Sequence, residues 1–294
     1  MAATKEIDRD NWYLLQSEVQ RARVAGAFRA FRGAGIEPIL IKGWAIARLY
    51  PPDKLRRPGD IDLAVSHDDF EAASSLRADP DVSKFNIDLH DGLRTLDTVS
   101  WDDVFLHSQL VDLEDEKIRI LRNEDHLRLL CVHWLFDGGR YKDKLWDIYY
   151  AVAHRPSDFD WDRCLNVVSR NRRGWVICAI ALAHHYLDLR ISDLPFRDEA
   201  STVPQWILKC VEKEWRQPYH FESVLTSTHD RHILLNQIGR RLPPNPIRAT
   251  IEAEGDLYGS KRSLYQLKLL KSRARPFMNQ LFGWITYRRR RRVP

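Results

Sequence analysis

The chain has 294 residues, 44% of them apolar, with 10 Trp, 10 Tyr and 11 Phe, which is enough for two ordinary domains with real cores. With 13 Gly and 14 Pro it is not a low-complexity or collagen-like chain. The net charge of +5 hides an asymmetry: 261–294 hold eleven Lys or Arg and no acid, leaving 35 basic and 41 acidic residues, a net −6, in residues 1–260. The amino terminus has no apolar run before a small-residue cleavage site, so no signal peptide is expected. The most apolar stretch, Trp175 to Ala183, is too short to span a bilayer. Cys131, Cys164, Cys178 and Cys210 form no CxxC and no zinc-ligand spacing, which predicts buried fillers in a reducing cytoplasm.

In chain order, apolar Trp12, Leu15, Val19 and Ala22 predict a helix over 8–32, ended by Gly33 and Gly35. A strand follows over 37–41, a turn at Lys42-Gly43, and a short helix over 44–50 stopped by Pro51-Pro52. A second strand is expected over 60–66, a helix over 68–77 broken at Asp79-Pro80-Asp81, and a third strand over 85–90. Up to three short strands are expected around 93–96, 106–113 and 117–121. Asn123 is read as the cap of a helix carrying Leu127, Leu130, Cys131 and Trp134, closed by Gly138-Gly139. Helices are then predicted over 141–154, 160–171, 174–188, 203–215 and 228–241, and Pro243-Pro244-Asn245-Pro246 marks a loop.

The chemistry concentrates in Arg56-Arg57-Pro58-Gly59-Asp60-Ile61-Asp62-Leu63. Strand side chains alternate faces, so Ile61, Leu63 and Val65 face a core while Asp60 and Asp62 face a cleft. Two carboxylates this close call for a cation, and magnesium takes carboxylates together with substrate phosphates. Asp88, between Ile87 and Leu89, shares its face with His90 and is the candidate third carboxylate; the parity of Asp91 places it on the other face. Gly43 lets backbone approach a triphosphate, helped by the amino end of the following helix, and Lys42 and Arg56 are candidates for neutralising phosphate. Lys144, with Lys142 and Asp147, is placed on the cleft side of the helical half, and His133 is read as a satisfied core histidine.

Taken in order, Ile39-Leu40-Ile41-Lys42-Gly43-Trp44-Ala45, Leu49-Tyr50-Pro51, Arg56, Asp60-Ile61-Asp62-Leu63, Asn86-Ile87-Asp88-Leu89-His90, Glu124-Asp125-His126-Leu127 with His133, and Lys144-Leu145-Trp146-Asp147-Ile148 resemble the bacterial "uncharacterised nucleotidyltransferase" family of the DNA polymerase beta-like superfamily. The resemblance covers roughly 10–190. It implies an α+β fold, a nucleotidyltransferase-like mixed β-sheet with flanking helices followed by an α-helical domain. The expected division is a catalytic domain over 1–122, a helical domain over 123–245 and a basic helical tail over 246–294. It also implies transfer of a nucleoside monophosphate from a nucleoside triphosphate to a hydroxyl-bearing metabolite, peptide or RNA, with pyrophosphate released. Asp60, Asp62 and Asp88 are then the catalytic ligands of two Mg2+ ions. Lys42, Gly43, Trp44, Arg56 and Lys144 are the nucleotide-binding set. Trp44 stands where many superfamily members carry Ser or Gly, so a phosphate contact there uses backbone N–H. The rival reading is a non-catalytic nucleotide- or RNA-binding regulator on a degenerate fold.

The basic end mixes Leu264, Leu267, Leu270, Phe277, Leu281, Phe282 and Trp284 with arginines and closes on Arg288–Arg292. A helix docked on the helical half, with a basic end, is the first expectation, and Pro276 is expected to kink or split it. RNA phosphates or an anionic membrane surface are the competing partners.

Overall fold

The computed structural model describes residues 2–217, 231–239 and 241–273. Among these, five strands form one sheet in the order β3-β2-β1-β5-β4: β1 (Ile39–Leu40), β2 (Ile61–Val65), β3 (Ile87–Asp91), β4 (Gln109–Leu113) and β5 (Glu116–Ile120). β1 runs antiparallel to β2 and parallel to β5, β2 parallel to β3, and β4 antiparallel to β5. The fold is α+β: a mixed sheet flanked by helices and followed by a helical half.

The two sheet faces are covered differently, and this positions everything else. Ile61, Leu63 and Val65 of β2, Ile87 and Leu89 of β3, and Ile118 and Ile120 of β5 share a core with Val24, Ala27, Phe28 and Phe31 of α1 (Ala2–Gly33) and Ala73 of α3 (Phe70–Arg77). Ile39 and Ile41 flanking Leu40, and Ala64 of β2, face the opposite side. They join a larger core built on α6 (Asn123–Phe136), α7 (Leu145–Ala153) and α9 (Arg170–Leu187). Asp62 and Asp88 share the parity of Ala64, so both carboxylates lie on the face that the helical half covers.

Several expectations change. The stripe Trp12, Leu15 and Val19 is exposed; over residues 12–33 α1 is buried only from Gln20 onward, where the sheet lies beneath it. α3 ends before Asp79-Pro80-Asp81 as expected, but that tripeptide does more than break a helix. It begins α4 (Pro80–Ser83), because the Asp79 carboxylate accepts from Asp81 N–H and Pro fits the first helical turn. No strand forms at 93–96, where Leu93 and Leu96 are buried in a turn. The stretch 106–113 is divided: α5 (Trp101–His107), capped by Ser100, runs into β4. Asn123 is the first residue of α6 and Arg122 takes the cap position without a side-chain bond. The helix expected over 160–171 is α8 (Trp161–Leu165), and Ser169 caps α9 early. The short helix α10 (Arg197–Ala200) was not anticipated; α13 (Pro246–Glu252), capped by Asn245 and opened by Pro246, starts the stretch expected as a helical tail. α11 (Gln205–Trp215) and α12 (Arg231–Gly239) fall where expected, and a last helix, α14, runs over 262–273. Residues 228–230 and 240 of the predicted helix lie outside the described residues. So do Pro276, Phe277, Leu281, Phe282, Trp284 and Arg288–Arg292.

The loop before β4 is tied to the helical half by charge. Arg128 of α6 donates to Asp97 at 2.8 Å and to Asp125 at 2.6 Å, all three side chains being buried. Arg163 of α8 bridges Asp125 and Asp103, each at 2.8 Å.

Candidate active site

The sheet face under α6 is not fully covered. Beside β2 and β3 a cleft of about 270 Å3 remains between the strands, the Lys42-Gly43 turn and the faces of α6 and α7 that carry His133 and Asp147. Of the eight residues singled out from sequence, seven line it: Lys42, Gly43, Arg56, Asp60, Asp62, Asp88 and Lys144. Trp44 does not. Its ring packs against the core under α1, with the Arg48 guanidinium 5.7 Å from the ring centre, so it has only backbone to offer the cleft.

Register brings the acids together. Asp62 and Asp88 are direct neighbours across the parallel β2–β3 pair. His90 projects from the same face of β3, with Nε2 3.2 Å from Asp62 Oδ1 and 3.4 Å from Asp88 Oδ2. Ligand-type atoms of Asp62, Asp88 and His90 all lie within 4.8 Å of one another. Asp60 is one step further along β2, at the exposed mouth, where Asn86 Nδ2 donates to its Oδ1 at 2.7 Å. Asn86 itself sits at φ 56°, a left-handed conformation that Asn tolerates better than most residues.

Asp62 is the most constrained acid. Lys42 Nζ lies 2.6 Å from Oδ1, the oxygen that His90 also reaches. Burial pushes this carboxyl up, but the His90 hydrogen bond and the Lys42 charge outweigh it and hold it at about 2. The other neighbour of Lys42 is His133, with Nε2 3.4 Å from Nζ. Burial and the Lys42 charge push the His133 ring down to about 4. The ring is therefore neutral near pH 7, with Nε2 accepting from the ammonium. His133 is thus a cleft residue and not a core one, because α6 turns this face onto the sheet's open corner.

The remaining cations are also engaged. Arg56 grips Asp147 of α7 with two bonds, Nε to Oδ1 at 2.7 Å and Nη2 to Oδ2 at 2.9 Å, and Tyr50 OH donates to the same Oδ1 at 2.7 Å. Lys144 Nζ donates to Asp137 at 3.3 Å. Lys142 lies away from the cleft over the Trp215 ring. Gly43 has φ 64°, and a Cβ there would lie 3.4 Å from the Asp60 carbonyl oxygen, so the turn runs against the backbone that carries the acids.

Two carboxylates and an imidazole converging on one small space have the chemistry to hold a divalent cation. A comparison with protein families supplies the context. Residues 10–79 match the model of the family described as "Uncharacterised nucleotidyltransferase". The likeness covers that segment and not the rest of the chain. The matched segment holds the Lys42-Gly43 turn, Arg56, Asp60 and Asp62; Asp88, His90, His133 and Asp147 lie outside it. No curated protein and no solved structure matches the chain. Among the described residues no helix is long and apolar enough to cross a membrane.

Sequence reasoning had missed Asn86 as the partner of Asp60 and His133 as the partner of Lys42. The signal for Asn86 was available: it sits two residues before Asp88, just ahead of β3, in a left-handed turn that Asn tolerates. The sequence marked His133 only as a core histidine, because its role depends on how α6 docks.

Proposed function

We propose that the chain transfers a nucleoside monophosphate from a nucleoside triphosphate to a hydroxyl-bearing acceptor, releasing pyrophosphate, in a cleft between a catalytic unit over 1–122 and a helical unit over 123–245. The observation that carries this is Asp62 set directly opposite Asp88 in the cleft of a chain whose residues 10–79, which include Asp62, match a nucleotidyltransferase family model. In this reading Asp60, Asp62 and Asp88, with His90, hold Mg2+ or Mn2+; the bound ion supplies the positive charge that a triphosphate needs at its reacting end. Imidazole in the set favours Mn2+ more than an all-oxygen site does.

The chain's own groups do the rest. The Gly43 turn brings backbone close to the phosphates, and Lys144 and Lys42 reach them from two walls. Arg56 shapes the cleft under Asp147. Asp88, more than half exposed, is placed to accept the proton of an incoming hydroxyl. The acceptor is a metabolite, peptide or RNA hydroxyl entering at the Asp60 mouth, in a cytoplasmic setting.

The test is incubation with labelled triphosphates and Mg2+ or Mn2+, reading pyrophosphate and labelled acceptor or self-labelled chain. Asp62→Ala and Asp88→Ala are each expected to lower turnover about 100-fold or more, as loss of a transition-state charge contact does. Turnover surviving both substitutions overturns the site. Nucleotide binding without turnover under every condition favours the regulatory reading instead.

A further inference from the structure

The cleft holds cations, yet each is already spent on an acid of this chain. Arg56 is locked to Asp147 by two bonds, with Tyr50 on the same oxygen. Lys144 is drawn to Asp137. Lys42, only 9% exposed, lies 2.6 Å from Asp62, the carboxylate at the centre of the proposed metal site. A triphosphate brings about four negative charges, so its entry requires one of these cations to be released. Lys42, the most enclosed of these lysines, has a second hydrogen-bond partner already within reach. Its ammonium is already 3.4 Å from His133 Nε2, a neutral acceptor on the opposite wall, so it can leave Asp62 without becoming a buried cation with no partner. Its departure also clears the Oδ1 atom on which His90 converges.

We propose that Lys42 is the resident counter-ion of Asp62, that it gives up this carboxylate when a divalent ion is held by Asp62, Asp88 and His90, and that it then turns to the triphosphate, so that nucleotide binds only after the metal. The proposal rests on the nucleotidyltransferase reading and goes beyond it by fixing an order of binding and assigning it to one ammonium. Lys42 is on this account a competitor of the metal and a partner of the nucleotide, two roles that removing it affects in opposite directions. A lysine that simply binds phosphate affects only the second.

The experiment uses Mn2+ as the metal and the unreactive α,β-methylene analogue of ATP. In titration calorimetry without nucleotide, Lys42→Met is expected to bind Mn2+ about tenfold more tightly than the unaltered chain, because a charge competing at contact distance is gone. At saturating Mn2+ the same variant is expected to bind the analogue about tenfold more weakly. Mn2+ binding by the unaltered chain that Lys42→Met leaves unchanged or weakens overturns the proposal alone. No Mn2+ binding by either protein overturns the metal site and the proposal with it. Should Lys42→Met not fold, the unaltered chain decides. Acetylation of Lys42 by acetic anhydride, read by peptide mass spectrometry against exposed Lys84, should speed up at least threefold with Mn2+ and slow again when the analogue is added. A Lys42 rate that Mn2+ does not change overturns the exchange.

Discussion

One oxygen atom, Asp62 Oδ1, receives both Lys42 and His90, and this crowding explains how two adjacent carboxylates are tolerated before any metal is bound. Linkage makes the neighbouring histidines measurable. Both His126, fully enclosed, and His133 are pushed down to about 4, first by burial, from an ordinary value of 6.5. Below pH 6.5 the unfolded chain takes up these protons while the folded chain refuses them until about pH 4. Stability is therefore complete above pH 6.5 and falls through that window, by up to about 3 kcal/mol per histidine. Urea midpoints measured from pH 7.5 to 4 are expected to show this fall, and His126→Gln should flatten its share. Asp62 acts lower: its contribution is present above the ordinary carboxylate value of 3.8 and is lost as pH falls toward 2. At this scale the acids were legible: alternation sets Asp60 and Asp62 on one side of their strand and Asp88 with His90 on one side of theirs, and only register joins the two. His133 was not, because a histidine amid apolar helix residues looks the same in a core and at a cleft wall.

At the scale of elements, the Gly43 turn joins β1 to α2 (Trp44–Ala47) in a left-handed conformation against the Asp60 backbone. Gly43→Ala is expected to cost about 1–2 kcal/mol in urea unfolding and to weaken nucleotide binding, since the strain falls between Lys42 and the acids. The buried Arg128–Asp97–Asp125 cluster holds the loop before α5 to α6. Arg128→Met leaves the buried Asp97 without a cation and Asp125 with Arg163 alone, and is expected to cost about 3–5 kcal/mol in the same measurement, far more than loss of any exposed pair. Strands β2, β3 and β5 were readable because apolar alternation persists over a buried face. α5 was not: a strand pattern over 106–113 masked a helix whose signal was its cap, Ser100 followed by Asp102 and Asp103. The amphipathic stripe of α1 misled for the opposite reason, since apolar residues at helical spacing sit where no sheet lies beneath them.

At the scale of the molecule, the helical half covers one sheet face and leaves a corner open, and Arg56–Asp147 fastens the loop before β2 to α7 across that corner. Both side chains are largely enclosed, at 16% and 5% exposure, so the pair is not a solvated surface contact. A double-mutant cycle with Arg56→Met and Asp147→Asn is expected to give a coupling of about 1–3 kcal/mol in unfolding free energy. A value near zero would mean that this pair does not help to hold the two halves together.

The sequence by itself determined the parity of the acids, the turn glycine and the order of an α/β half before a helical half, because each depends on local periodicity and backbone sterics. Tertiary structure alone decided the pairings: Lys42 with Asp62 and His133, Arg56 with Asp147, Asn86 with Asp60. A charged side chain chooses its partner by distance and burial, and those are set only when strands far apart in sequence come into register and α6 and α7 close over them.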